Sequence, residues 1–287
     1  MGAIFRHELR NYFHSLTAYV FGAFLLAVVG LGSVLYNLQA AVSNFEFVLS
    51  FASIIFVVIV PILTMRTMAE ERRQRTDQLL YSLPITTTQV VLGKYLALLV
   101  VYLIPLAVIS LYPLLFSRFG DVYLPTSYGS LFAFFLMGAA LLAVGMFLSS
   151  LTDNQGFAAG IGVAAILLNY YSVSLAEYTS STAMGSLIAL YVIALLLGVV
   201  IRGLTRNENL AYGVAFALIA ALSVAYFVNS SAFEGLLPDI MTKLSLFRQF
   251  NSFVNGAFDL TAIVYYVSVM GFFLFLSVQS MEKRRYN

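Results

Sequence analysis

The chain contains no cysteine and no tryptophan, has only two histidines, and carries charge at just 10% of its 287 positions. Without cysteine there can be no disulfide, no thiolate nucleophile and no cysteine metal site. The histidines, His7 and His14, lie about two helical turns apart and read as solvated surface residues rather than as a metal pair. A phosphate-binding loop is missing as well. The sole Gly-Lys pair, Gly93-Lys94, is followed by Tyr95, and Thr88 stands where the upstream glycine would be. The chain therefore binds no ATP by that route, and any ATP-derived energy must arrive from a partner. Charged residues are nearly absent from the interiors of the apolar runs, which argues against a proton-coupled antiporter or an intramembrane aspartyl protease. No Ser-His-Asp constellation can be assembled inside those runs, and no cofactor of the chain's own or nucleic-acid partner is expected.

What the chain has is apolar length. The hydrophobic fraction is 61% and the mean hydropathy +0.92, whereas a soluble domain carries about 25% charged residues. Its solvent must largely be lipid. A span needs roughly 20 apolar residues, and by that test eight are expected: Leu16–Tyr36, Phe47–Met65, Val90–Phe116, Tyr128–Leu148, Phe157–Leu175, Ala183–Leu204, Leu210–Val228 and Leu260–Gln279. The first run is too long for a cleavable signal peptide. With the N-terminus inside, only Arg118, Lys243 and Arg248 of the 15 Lys and Arg fall in outer segments. That asymmetry places both termini in the cytoplasm of a multi-pass cell-membrane protein. The expected fold is thus all-α, a polytopic transmembrane helix bundle forming one domain over residues 1–287.

Two non-spanning stretches add to this frame. Residues 1–15 hold Ile4, Phe5, Leu9, Tyr12 and Phe13 on one half of a helical wheel and Arg6, His7, Arg10, Asn11 and His14 on the other. This is the pattern of a helix lying in the interface. Residues 230–259 repeat Ile240, Leu244, Phe247 and Val254 at helical spacing, punctuated by Pro238 and Gly256. They read as one or two short outer helices re-entering the leaflet under protein cover. Small residues cluster where the fifth span opens. Gly156, Gly160 and Gly162 suit close helix approach or self-association, and Gly138 and Gly145 line the fourth span. Asn169 is the most notable polar residue inside a span, suited either to an interhelical hydrogen bond or to the translocation path.

The largest cytoplasmic loop, residues 66–89, crowds Glu70, Glu71, Arg72, Arg73, Arg75 and Asp77 ahead of Leu79, Leu80 and Pro84. Pairs such as Glu70 with Arg73 and Glu71 with Arg75 are at helical spacing, and the helix should end before Pro84. A short charged helix with an apolar tip, fixed at both ends by spans, makes a natural mechanical link to a cytosolic protein. Lys94 lies at a cytoplasmic helix end, where it can snorkel.

The run Ala69-Glu70-Glu71-Arg72-Arg73-Gln74-Arg75-Thr76-Asp77-Gln78-Leu79-Leu80, with Leu83-Pro84 and Val91-Leu92-Gly93-Lys94-Tyr95, resembles the loop of type-2 ABC exporter permeases, nearest the gliding-motility branch. The start, Phe5-Arg6-His7-Glu8-Leu9-Arg10, and the end, Glu282-Lys283-Arg284-Arg285, resemble the same family. Arg75 and Asp77 depart from the glycine and glutamate usual there. The residues 183–228 form a hairpin additional to the family's common six spans. The resemblance implies a dimer of this permease with a second copy or paralogue, served by two ABC ATPase subunits that hold ATP and Mg. It makes Glu70–Leu80 the coupling helix and implies a path between the permeases. Few polar residues face that path, and the chain has 25 Phe and 18 Tyr, so a hydrophobic or amphipathic cargo is expected. Mechanical transmission within an envelope assembly or motility machine is the alternative to export.

Overall fold

The computed structural model describes residues 1–74, 85–205 and 208–285. Every regular element among them is helical. Helix α1 (Gly2–His14) breaks at Ser15, whose backbone is extended and whose hydroxyl donates to the Tyr12 carbonyl at 3.0 Å. From there α2 (Leu16–Gly32) runs into a wider π-turn, Ser33–Gln39. Helices α3 (Phe45–Ser53) and α4 (Phe56–Thr64) are two halves of one apolar run, bent by 58°. Then come α5 (Ala69–Gln74), α6 (Thr87–Ile109), α7 (Leu111–Phe116), α8 (Leu124–Ser149) and α9 (Gln155–Glu177). They are followed by α10 (Ala183–Thr205), α11 (Glu208–Val228), α12 (Leu236–Lys243), α13 (Leu246–Val254) and α14 (Leu260–Arg285).

Local chemistry sets several of these starts. The Thr86 hydroxyl accepts from the Gln89 amide at 3.2 Å and opens α6. Asn154 Oδ1 takes the amides of Gly156 and Phe157 at 2.9 and 3.3 Å and opens α9. Each side chain satisfies donors that the first helical turn leaves without a partner.

Among the described residues six helices are long and apolar enough to cross a membrane, and the α3–α4 pair makes seven if counted as one span. Helix α10 runs over 23 residues, Ala183–Thr205, and its stretch Ala183–Val199 is apolar.

The chain divides into two compact units, Met1–Tyr170 with Gln249–Asn287, and Tyr171–Arg248. In the first, α8 is the hub. Its apolar window is 78% buried, against at most 39% for any other candidate span. Glycines let neighbours reach its backbone. A Cβ on Gly138 would stand 2.6 Å from the Tyr102 ring, and one on Gly145 would collide with Thr64. Tyr102 is wholly buried, donates its hydroxyl to the Phe134 carbonyl at 2.8 Å and stacks on Phe135 at 5.9 Å. Since lipid is as apolar as leucine, such close packing and hydrogen bonding hold the helices together.

In the second unit α10 and α11 form an antiparallel hairpin. Gly198 meets Ala215, and the Tyr191 and Ser223 hydroxyls lie 2.6 Å apart. Arg202 and Glu208 form an ion pair beside the turn. After a 3-10 turn at Ser230–Phe233, Gly235 takes the left-handed conformation at φ 70° and its amide donates to Ser181 O at 2.9 Å. Short helices follow within residues 230–259: α12 starts after Gly235, and α13 ends shortly before Gly256, at φ 82°.

Candidate functional site

The chemistry concentrates at one end of the first unit, around the root of the charged loop. On α1, Ile4, Glu8 and Tyr12 recur every fourth residue and so share one stripe. Ile4 lies against Gly93 of α6, where an added Cβ would come within 3.1 Å of it. One turn along, the ammonium of Lys94 is 2.7 Å from Glu8 Oε1 and 2.6 Å from Glu71 Oε1 on α5. The Lys94 side chain is only 1% exposed. Another turn along, the Tyr12 hydroxyl meets Thr67 Oγ1 at 3.3 Å, and Thr67 donates to the Thr64 carbonyl at 2.7 Å. Burial raises the Tyr12 phenol to about 12, against the lowering effect of the Thr67 bond, and the Glu8 carboxylate pushes it the same way as burial. The hydroxyl therefore stays protonated at neutral pH.

Three further anchors hold the loop root. Arg66 grips Glu70 through Nε and Nη2 at 2.8 and 3.1 Å and gives Nη1 to Thr17 of α2 at 3.2 Å. Ser149 at the end of α8 accepts the amides of Met68 and Ala69, both at 3.2 Å, and donates to the Met65 carbonyl at 3.1 Å. Arg72 reaches Ser280 of α14 at 3.3 Å, and Ser280 donates to the Ser150 carbonyl at 2.9 Å. On the returning side Thr87 donates to Glu282 at 2.8 Å, and Arg284 pairs with Asp153 at 2.7 Å. A cavity of about 750 Å³ remains between α1 and the loop root, with Glu8, Tyr12, Arg66, Glu70 and Lys94 in its wall.

An ammonium taken from water into such a place costs several kcal/mol and persists only when paired and hydrogen-bonded. Lys94 has two carboxylates, one from each of two separate elements. It therefore ties α1 and α5 to the same point on a long apolar helix. The arrangement joins the loop root, α1 and α6 in one ion-paired and hydrogen-bonded block.

The expectations from sequence are met unevenly. Lys94 does not snorkel, because two carboxylates come to it and close it off from water. Glu70 turns back to Arg66 rather than forward to Arg73, which is exposed, and Glu71 reaches Lys94, while its expected pairing with Arg75 falls outside the described residues. Arg75, Asp77, Leu79, Leu80 and Pro84 lie outside the described residues. Of the glycines opening α9, Gly162 packs on Pro61, at 3.0 Å for an added Cβ. An added Cβ on Gly160 would meet nothing within 4 Å, and on Gly156 only Asn154 of its own cap. The three thus do not share one packed face. Asn169 is half-buried. The head of α3 carries a buried carboxylate that the apolar pattern concealed: Glu46 is 1% exposed. His7 and His14 are exposed, as expected. Glu8, Tyr12, Ser149 and Ser280 were not singled out as site residues. For Glu8 a signal existed, a carboxylate set between Ile4 and Tyr12 on an apolar stripe.

Compared with known proteins, residues 25–176 match the family described as ABC-2 family transporter protein. The match covers slightly more than half of the chain, from within α2 to the end of α9, so it includes the loop and Lys94 but not α1. No curated protein and no solved structure matches.

Proposed function

The chain belongs to the ABC-2 family of transporter proteins, and from that premise we propose that it is the membrane-spanning permease subunit of an ATP-driven exporter. A separate ATPase docks on the loop at residues 66–89, and two such ATPases serve a pair of permeases, either two copies of this chain or this chain with a paralogue. Both termini face the cytoplasm, and eight helices cross the cell membrane, α10 among them. The cargo is hydrophobic or amphipathic.

The buried contact of Lys94 with Glu8 and Glu71 carries this reading. A coupling element is useful only if its displacement reaches the spans. The loop enters from α4 and leaves into α6, so its two ends are covalently attached to spans. Lys94 adds a non-covalent lock between them and draws α1 into the same block. Ser149 and Ser280 brace that block against α8 and α14. When two ATPases close on ATP, a block held at so many points moves as a body, and the helices it touches tilt with it.

The test is affinity purification of the tagged chain in mild detergent, followed by an ATPase assay on what comes with it. A nucleotide-binding subunit is expected to co-purify and to be lost when Leu79 and Leu80 are replaced by alanine. If a folded wild-type protein brings down no ATPase, the proposal fails.

A further inference from the structure

We propose that the cavity between α1 and the loop root is a binding site for the headgroup of a phosphatidylethanolamine lipid. The proposal rests on the membrane-interface placement of α1 in the reading above, but not on ATP coupling. At about 750 Å³ the space is of ligand size, and its wall is built rather than incidental. Lys94 and Glu8 are buried charges, 1% and 8% exposed, and Tyr12 beside them is 6% exposed.

The charge of the wall selects the occupant. Arg66 and Lys94 are its cations and Glu8, Glu70 and Glu71 its carboxylates, an excess of one negative charge with the imidazoles neutral. An anionic headgroup would add to that excess. A choline headgroup offers no N–H donor to the carboxylates, and a trimethylammonium needs a cage of Trp, Tyr or Phe rings, of which the wall holds only Tyr12 among the described residues. An ethanolamine headgroup supplies both halves. Its ammonium brings three donors to the carboxylate side. Its phosphate can accept from Arg66, whose five donors are not exhausted by Glu70 and Thr17.

The neighbouring surface distinguishes a lipid from a soluble phosphoethanolamine. Ser15 and Thr17 line the cavity, and α2 continues from there with Leu16, Tyr19, Val20 and Phe24 exposed at 79%, 58%, 40% and 55%. These four follow helical spacing along one side, an apolar strip about 12 Å long. Acyl chains laid along that strip would bring the headgroup to the cavity mouth.

Native mass spectrometry on the purified full-length permease, without an ATPase, tests the site separately from coupling. Equal amounts of dioleoyl-phosphatidylethanolamine, its N-methyl and N,N-dimethyl derivatives, dioleoyl-phosphatidylcholine and dioleoyl-phosphatidylglycerol are offered. Retention should fall stepwise as methyl groups replace N–H donors, by about tenfold from ethanolamine to choline, the worth of one charge-assisted hydrogen bond. Millimolar phosphoethanolamine should not displace the lipid. In Glu70→Gln, ethanolamine retention should fall and phosphatidylglycerol retention rise, since Arg66 loses its carboxylate. Equal retention of the choline lipid, strongest retention of phosphatidylglycerol by the unaltered chain, or displacement by free phosphoethanolamine would each overturn the assignment.

Discussion

Lys94 is where one residue carries the most consequence. Replacing it with methionine leaves Glu8 and Glu71 facing each other with no cation between them. Stability should drop by about 3–5 kcal/mol, the cost of breaking a buried pair from one side. Adding Glu8→Gln and Glu71→Gln should recover much of that loss, because the network is then removed rather than broken. Size-exclusion profiles after heating in detergent would read both; a triple variant no better than the single one would mean the carboxylates do not feel Lys94. Tyr102 offers a steric counterpart. Gly138→Ala places a methyl 2.6 Å from its ring, and overpacking of this kind costs about 1–3 kcal/mol. Tyr102→Leu in the same chain should relieve the clash, so the double variant should melt above Gly138→Ala alone. If the two penalties simply add, the contact is not what limits the site.

Among the elements, α9 shows how far a sequence motif can be read. The run Gly156-xxx-Gly160 promised a packed face, but of the three glycines only Gly162, two residues beyond Gly160 and so on another side of the helix, packs against a separate helix. Gly160→Leu should therefore fold as the unaltered chain does, whereas Gly162→Leu should not. If the open face is where a second permease packs, Gly160→Leu should also shift a crosslinked dimer to monomer while leaving the melting profile unchanged. The ends of elements were legible where one side chain does the capping, as at Thr86 and Asn154. The bend between α3 and α4 was not. It falls within the run Ala52-Ser53-Ile54-Ile55-Phe56, where Ser53 is the one polar residue and no proline stands at the break. The loop root was half legible. Its charges were visible, and Glu70 did find a partner at i,i+4 spacing, Arg66 rather than Arg73. The contact of Glu71 with Lys94, 23 residues away, could not be read from helical spacing, because it joins two separate elements.

At the scale of the molecule, hydropathy alone identifies a membrane protein, because no water-soluble core could absorb so much apolar surface. Sidedness comes from the placement of Lys and Arg, and the missing cysteines make it directly measurable. Single cysteines introduced at Arg73 and at Asp121 have no background label to contend with. A membrane-impermeant thiol reagent on intact cells should label the Asp121→Cys chain, and reach Arg73→Cys only after permeabilisation. The reverse pattern would invert the topology and place the loop where no cytosolic ATPase could meet it.

On the proposed function, ATP-driven motion enters the spans through the block that Lys94 holds together. This route is tested most directly by reconstituting the permease with its co-purifying ATPase in liposomes, and comparing hydrolysis with and without the permease for the wild type, Lys94→Arg and Lys94→Met. All three should bind the ATPase equally. Wild type and Lys94→Arg should alter its rate of hydrolysis, and folded Lys94→Met should leave the rate at the value of the ATPase alone. A Lys94→Met permease that still modulates hydrolysis as the wild type does would contradict that route.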